Sequence, residues 1–130
     1  MKLRIKGDSV RMRLTRQEVR ELDERGEVAD KVRFDGGAAL VYRVKRDAVV
    51  GTLSAAYDRN TIEVLIPEQA ARTWCNTDVV TLEYTKHTAE GGLHIIVEKD
   101  FSCLEPRADE DESDQFPHPR ASRAKDGCVG

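Results

Sequence analysis

One spacing constrains this chain more than anything else in it: the order of strands, turns and caps over residues 1–46 returns 52 residues later. In the first run, Leu3 and Ile5 alternate with Lys2, Arg4 and Lys6, the period of a half-buried strand. Gly7-Asp8-Ser9 supplies turn chemistry, and Val10, Met12 and Leu14 then alternate with Arg11 and Arg13. Thr15 and Glu18 form a Thr-x-x-Glu capping box with Leu14 and Val19 at the staple positions. Val19 and Leu22 give the helix an apolar face, and Gly26 ends it. Strand alternation resumes over Val28–Phe34, Asp35-Gly36-Gly37 turns the chain, and Leu40, Tyr42 and Val44 lead it back.

In the second run, Ala55 and Tyr57 stand for Leu3 and Ile5, and Asp58-Arg59-Asn60 takes the turn. Ile62, Val64 and Ile66 match Val10, Met12 and Leu14, and Pro67, a residue suited to a helix start, replaces Thr15. Ala71 and Trp74 fall on Val19 and Leu22; a strand at Val79–Tyr84, a Gly91-Gly92 turn, and Leu93, Ile95 and Val97 complete the unit, the last three at a shift of 53. Identities between the halves are few, with only Gln17 and Arg20 recurring in the window Leu14–Leu22, so the shared order carries the argument. One ββαββ unit has too little apolar face to bury alone. The expectation is an α+β fold, mainly antiparallel β with two short helices. Its two pseudo-duplicated ββαββ units, 1–46 and 53–101, form one sheet-rich or barrel-like domain over residues 1–104. Residues 105–130 are an irregular acidic tail containing proline, with too few hydrophobes to fold alone.

At 39% hydrophobic and 5% aromatic residues, such a core rests on aliphatic side chains. No window approaches the roughly 18 apolar residues of a membrane span, and the charged, alternating N-terminus lacks a secretory h-region. A cytoplasmic location without membrane partners follows as the expectation. Cys75, Cys103 and Cys128 are odd in number and widely spaced, which fits reduced thiols rather than a disulfide framework. The net charge of −3 is unevenly spread. Residues 1–46 hold 13 Lys/Arg against 8 Asp/Glu, and residues 47–130 hold 8 against 16.

Ile62-Glu63-Val64-Leu65-Ile66-Pro67, leading into a helix and on to Asp78–Val97, resembles the swapped-hairpin unit of AbrB-like transition-state regulators. Those are commonly DNA-binding homodimers, which a fused pair would imitate. The departure is charge, since residues 47–100 carry 4 Lys/Arg against 9 Asp/Glu. Over nearly its full length the chain is similar to a bacterial family of short proteins of unknown function. That similarity rests on Met1-Lys2-Leu3-Arg4-Ile5-Lys6-Gly7 with Ser9 and Arg11-x-Arg13-Leu14, on Val97-Glu98-Lys99-Asp100-Phe101-x-Cys103-Leu104, and on Glu110-Asp111-Glu112-Ser113-Asp114-x-Phe116-Pro117-x-Pro119. It implies no activity, but it implies that the tail is part of the protein.

Lys2, Arg4, Lys6, Arg11 and Arg13 fall on one side of two paired strands. They read as a solvated outer face, as a grip for phosphates or an acidic partner, or as a landing site for the acidic run Asp109–Asp114. Asp109, Glu110, Asp111, Glu112 and Asp114, with Phe116, Pro117 and Pro119, form the tail motif. A hand-type calcium loop fails there, because Asp114 and Arg120 hold the positions that need Gly and a bidentate Glu. Cys103, His118 and Cys128 offer zinc-type ligands without zinc-type spacing. His87 and His94 read as surface residues, Glu98-Lys99-Asp100 as a solvated charge cluster, and Cys75 as a core or boundary residue. No phosphate loop, nucleophile elbow or His-Glu-x-x-His is present. The leading expectation is a non-enzymatic binding or adaptor protein with a protein partner and no cofactor. Its binding elements are the tail, the basic face or both. The alternatives are a metal-handling protein with zinc at the Cys/His set, and an AbrB-like DNA binder, against which the overall acidity counts. Monomer and homodimer both remain open at this point.

Overall fold

The computed structural model describes residues 1–100. Its elements run β1 (Lys2–Ile5), β2 (Ser9–Leu14), α1 (Arg16–Arg25), β3 (Glu27–Arg33), β4 (Ala39–Asp47), β5 (Ser54–Asp58), β6 (Thr61–Pro67), α2 (Glu68–Cys75), β7 (Thr81–Thr88) and β8 (Gly91–Lys99). Two-residue turns close the first hairpin of each unit. Gly7, at φ 55°, fills the glycine position of a type II′ turn between β1 and β2. Arg59 and Asn60, at φ 51° and 62°, make the equivalent turn as type I′.

Helix α1 is capped as its sequence dictates. The Glu18 amide donates to Thr15 Oγ1 (3.2 Å) and the Thr15 amide donates to Glu18 Oε1 (2.9 Å). Gly26 ends the helix in the left-handed region at φ 89°, where its amide reaches the Leu22 carbonyl. A second cap comes from far along the chain: Arg46 Nη1 donates to the carbonyls of Leu22 and Asp23, each at 2.7 Å. Lys99, the counterpart of Arg46 in the second unit, donates to the Thr77 carbonyl just past α2 (2.7 Å) and lies 5.3 Å from the centroid of the Trp74 ring. A cation from the last strand of each unit therefore serves the carbonyl end of that unit's helix.

The hairpins are exchanged between the units. One sheet has the order β1-β2-β8-β7 and the other β3-β4-β6-β5, so each combines the first hairpin of one unit with the second hairpin of the other. We call these sheets A and B. The four hairpin pairings are antiparallel, and the two central ones, β2 with β8 and β4 with β6, are parallel. Met12 lies opposite Val97 in sheet A as Val64 lies opposite Val44 in sheet B, and Val10 opposite Ile95 as Ile62 opposite Tyr42. The result is a pair of mixed four-stranded sheets and not a closed barrel. Sequence reading had local alternation to work with, and parallel pairing between distant strands leaves no local signature.

The inward positions of both sheets meet the helices in one core. Met12, Leu14, Ile95 and Val97 come from sheet A, Val44, Val64 and Ile66 from sheet B, and Leu22 and Trp74 from the same position of the two helices, all fully buried. Trp74 satisfies its indole N–H on the Val80 carbonyl at 3.0 Å. The second unit differs from expectation at its last hairpin: Val79 and Val80 precede β7, and the turn falls on Ala89-Glu90, because Gly91 and Gly92 are already in β8 opposite Thr88 and His87.

Arg46→Met keeps the aliphatic stem and removes both carbonyl bonds. It is expected to lower unfolding free energy by about 2 kcal/mol, read from urea denaturation with an unchanged m-value.

Candidate functional site

The outward face of sheet A gathers the cations of β1 and β2. In the register of β1 and β2, Lys2 lies opposite Arg13 and Arg4 opposite Arg11. Directly opposed strand residues share a face, so these four side chains emerge together, and alternation puts Lys6 beside them at the turn. All five residues expected on this face are there. Next along the rows come Glu98 and Thr81 beside Arg13, and Ile96 and Glu83 beside Arg11.

The five cations are not equivalent. Glu98 accepts from Arg13 Nε (2.9 Å) and Nη2 (2.8 Å) and stands 3.7 Å from Arg11 Nη1, with its side chain only 15% exposed. Lys2 Nζ lies 3.4 Å from Asp100. Arg4 and Lys6 have no ion-pair partner among the described residues and are exposed. The face thus has a compensated part at Arg11, Arg13 and Lys2 and an uncompensated end at Arg4 and Lys6.

Glu98, Lys99 and Asp100 are consequently not the solvated cluster expected from three consecutive charges. Strand alternation sends Glu98 to the arginines and Lys99 to Trp74, while the Asp100 amide donates to the Leu14 carbonyl at 2.8 Å. His94 lies on this same outer face, as expected of a surface residue, with Nε2 2.9 Å from Glu83 Oε2. His87 is exposed in β7. The signal for Glu98 lay in its phase relative to Ile95 and Val97, but its partners followed only once β8 was known to lie beside β2.

Sheet B shows what the same positions look like in the other unit. Lys2, Arg4, Lys6, Arg11 and Arg13 correspond to Ser54, Ala56, Asp58, Glu63 and Leu65, with Ser54 opposite Leu65 and Ala56 opposite Glu63. Five cations face two anions and three neutral residues. Across β4 and β6 of sheet B, Arg43 Nε lies 3.1 Å from Glu63 Oε2.

The tail motif (Asp109, Glu110, Asp111, Glu112, Asp114, Phe116, Pro117, Pro119) and the Cys103/His118/Cys128 set lie outside the described residues. Among the described residues no group of three or more His, Cys, Asp or Glu side chains is placed to hold a metal ion. An open groove of about 410 Å³ between α1 and β3 is lined by Glu18, Glu21, Arg25, Glu27, Val28 and Ala29. It lacks the apolar enclosure of a small-molecule site. No helix among the described residues is long and apolar enough to cross a membrane. Cys75 is half-buried and its thiol donates to the Val19 carbonyl at 3.6 Å. Burial, then the nearby Asp23 carboxylate, pushes its pKa up to about 11.

Two measurements check this picture. Glu98→Gln removes the shared charge from two arginines and is expected to cost about 1–2 kcal/mol of stability by chemical denaturation. Cys75, whose neutral thiol persists in the fold, is expected to alkylate with iodoacetamide at pH 8 at least about tenfold more slowly in the native than in the urea-unfolded chain, by peptide-resolved mass spectrometry.

No curated protein and no solved structure matches the chain. A family model described as a family of unknown function (DUF7009) matches residues 1–120, a span that takes in the basic strands, both sheets and the tail motif, and the chain belongs to that family.

Proposed function

We propose that this chain is a non-enzymatic binding protein that recognises an acidic protein partner on the outward face of sheet A, centred on Arg4 and Lys6. The observation that carries this reading is the contrast between the duplicated hairpins. At five matching positions one presents Lys2, Arg4, Lys6, Arg11 and Arg13, and the other Ser54, Ala56, Asp58, Glu63 and Leu65. A solvated face needs polarity but no single sign, and the matching hairpin of sheet B meets that need at these five positions without cations, the outward cations of sheet B (Lys31, Arg33, Arg43 and Lys45) standing on its other hairpin. Like charges directly opposite each other on paired strands destabilise a sheet. Arg4 opposite Arg11 and Lys2 opposite Arg13 are two such pairs. Glu98 relieves the inner column, and an anionic partner would relieve β1. The tail motif supplies the second binding element of this reading, and no cofactor enters it.

The double variant Arg4→Glu/Lys6→Glu tests the reading on a face whose substitution leaves the core untouched. Quantitative pull-downs from the native cell extract are expected to lose the principal partner by about tenfold or more. Stability is expected to hold or rise by about 0.5 kcal/mol, since the Arg4–Arg11 repulsion becomes an attraction. An unaltered set of captured proteins, with the tail both present and deleted, would sink the proposal.

A further inference from the structure

We infer that β1 is a docking edge for an added strand: an extended segment of the partner, with carboxylates at alternate positions, pairs along its open side. This rests on the reading of the basic face given above and specifies how that face is used. β1 is an edge strand of sheet A. The Lys6 amide donates to the Ser9 carbonyl at 3.1 Å, which fixes the phase of the ladder. In an antiparallel pair, residues alternate between turning their main-chain groups toward the partner and away from it. Lys6, Arg4 and Lys2 therefore face β2 with their backbone, and Leu3 and Ile5 turn their N–H and C=O groups outward. Among the described residues no hydrogen bond reaches the outward main chain of Leu3 or Ile5.

A strand laid against this edge takes up the sheet's alternation. Its residues opposite Lys2, Arg4 and Lys6 emerge on the outer face among cations, about 5 Å away. Its residues opposite Leu3 and Ile5 emerge on the inner face, where Ile5 is 55% exposed. The segment that fits is acidic at every second position and apolar between.

Cations on an edge strand also serve to prevent unwanted pairing, so that explanation must be weighed. It accounts for the scattered charges of the other edges, Lys31 and Arg33 on β3 and Lys86 on β7, but β5 offers Ser54, Ala56 and Asp58 where β1 offers Lys2, Arg4 and Lys6, and only β1 carries one sign at three successive positions of one face. Lys86 of β7 donates to Ser54 Oγ at 3.3 Å on the β5 edge, where β1 carries Lys2. A single sign of charge on β1 repels a second copy of β1 and admits a strand of opposite charge, which is selectivity rather than closure. A nucleic acid would use the cations alone, because phosphates gain nothing from outward carbonyls or from Ile5.

The test uses the full chain and four fluorescein-labelled peptides: alternating Glu-Val-Glu-Val-Glu-Val-Glu, the block isomer Glu-Glu-Glu-Glu-Val-Val-Val, and the alternating peptide N-methylated either at its Glu or at its Val residues. The alternating peptide is expected to bind about tenfold tighter than the block isomer, and only one phase of N-methylation is expected to abolish binding. Hydrogen exchange at Leu3 and Ile5 should slow in its complex. Equal binding of alternating and block peptides, or unchanged exchange at Leu3 and Ile5, would overturn strand addition while leaving the basic face standing. No binding by either peptide, together with partners unaffected by Arg4→Glu/Lys6→Glu, would overturn both. A duplex oligonucleotide that displaces the alternating peptide at equal concentration of anionic groups would overturn the peptide partner in favour of nucleic acid.

Discussion

The two parallel pairings, β2 with β8 and β4 with β6, are the contacts on which everything else rests. Each ββαββ unit makes two hairpins, and an isolated hairpin is marginal in water. Exchange gives every hairpin a second one beside it and turns four weak pairs into two sheets. It also aligns the inward rows, so that Met12 meets Val97 and Val64 meets Val44 above one shared core. The helices fill the same role twice, with Leu22 and Trp74 at corresponding buried positions. Arg46 and Lys99 then tie the helix ends to the last strand of each unit.

Much of this was written locally. Thr15 and Glu18 announce a capping box because both halves of it lie within four residues, and Gly26 marks a left-handed cap that other residues resist. The 52-residue offset survives because inward positions tolerate exchange among Val, Ile, Met and Leu while keeping their phase. The partnership of strands was not legible, since parallel pairing joins residues 85 positions apart in one sheet, as Ser9 with His94, and 20 apart across a whole hairpin connection in the other, as Val41 with Thr61. The partners of Glu98 lay in that gap, whereas the displaced last turn is local, because Gly91 and Gly92 already pair within the hairpin of β7 and β8. Glu98 reads as one of three solvated charges until β8 takes its place beside β2. The cationic face itself needed only alternation, which is why all five of its members were identified from the sequence.

Duplication supplies an internal control that a single domain lacks. Register is the same at Arg11 and Glu63, whose charges answer different neighbours, Glu98 and Arg43, and at Arg4 and Ala56, where the charge of Arg4 answers no ion-pair partner among the described residues. Residues that match between the units, such as the core rows and the helix-end cations, speak of stability. Residues that diverge on a common scaffold speak of use. The divergence here takes in both outward faces, since Lys31, Arg43 and Lys45 stand where the second unit has Glu83, Ile96 and Glu98, and it leaves Lys2, Arg4 and Lys6 as a row of one sign on the edge strand β1.

The exchange of hairpins has a consequence for assembly. Six residues separate the end of β4 at Asp47 from the start of β5 at Ser54, and the contacts between the units would be the same if they came from two different chains. What selects the intramolecular partner is the high effective concentration imposed by so short a tether. Two chains opened at this connection would interlock reciprocally without a single new interface, the ordinary route of domain swapping. The length of residues 48–53 is therefore a determinant of molecularity. Shortening them until the units can no longer fold back would convert a self-contained pair into an intertwined dimer built on the same two sheets.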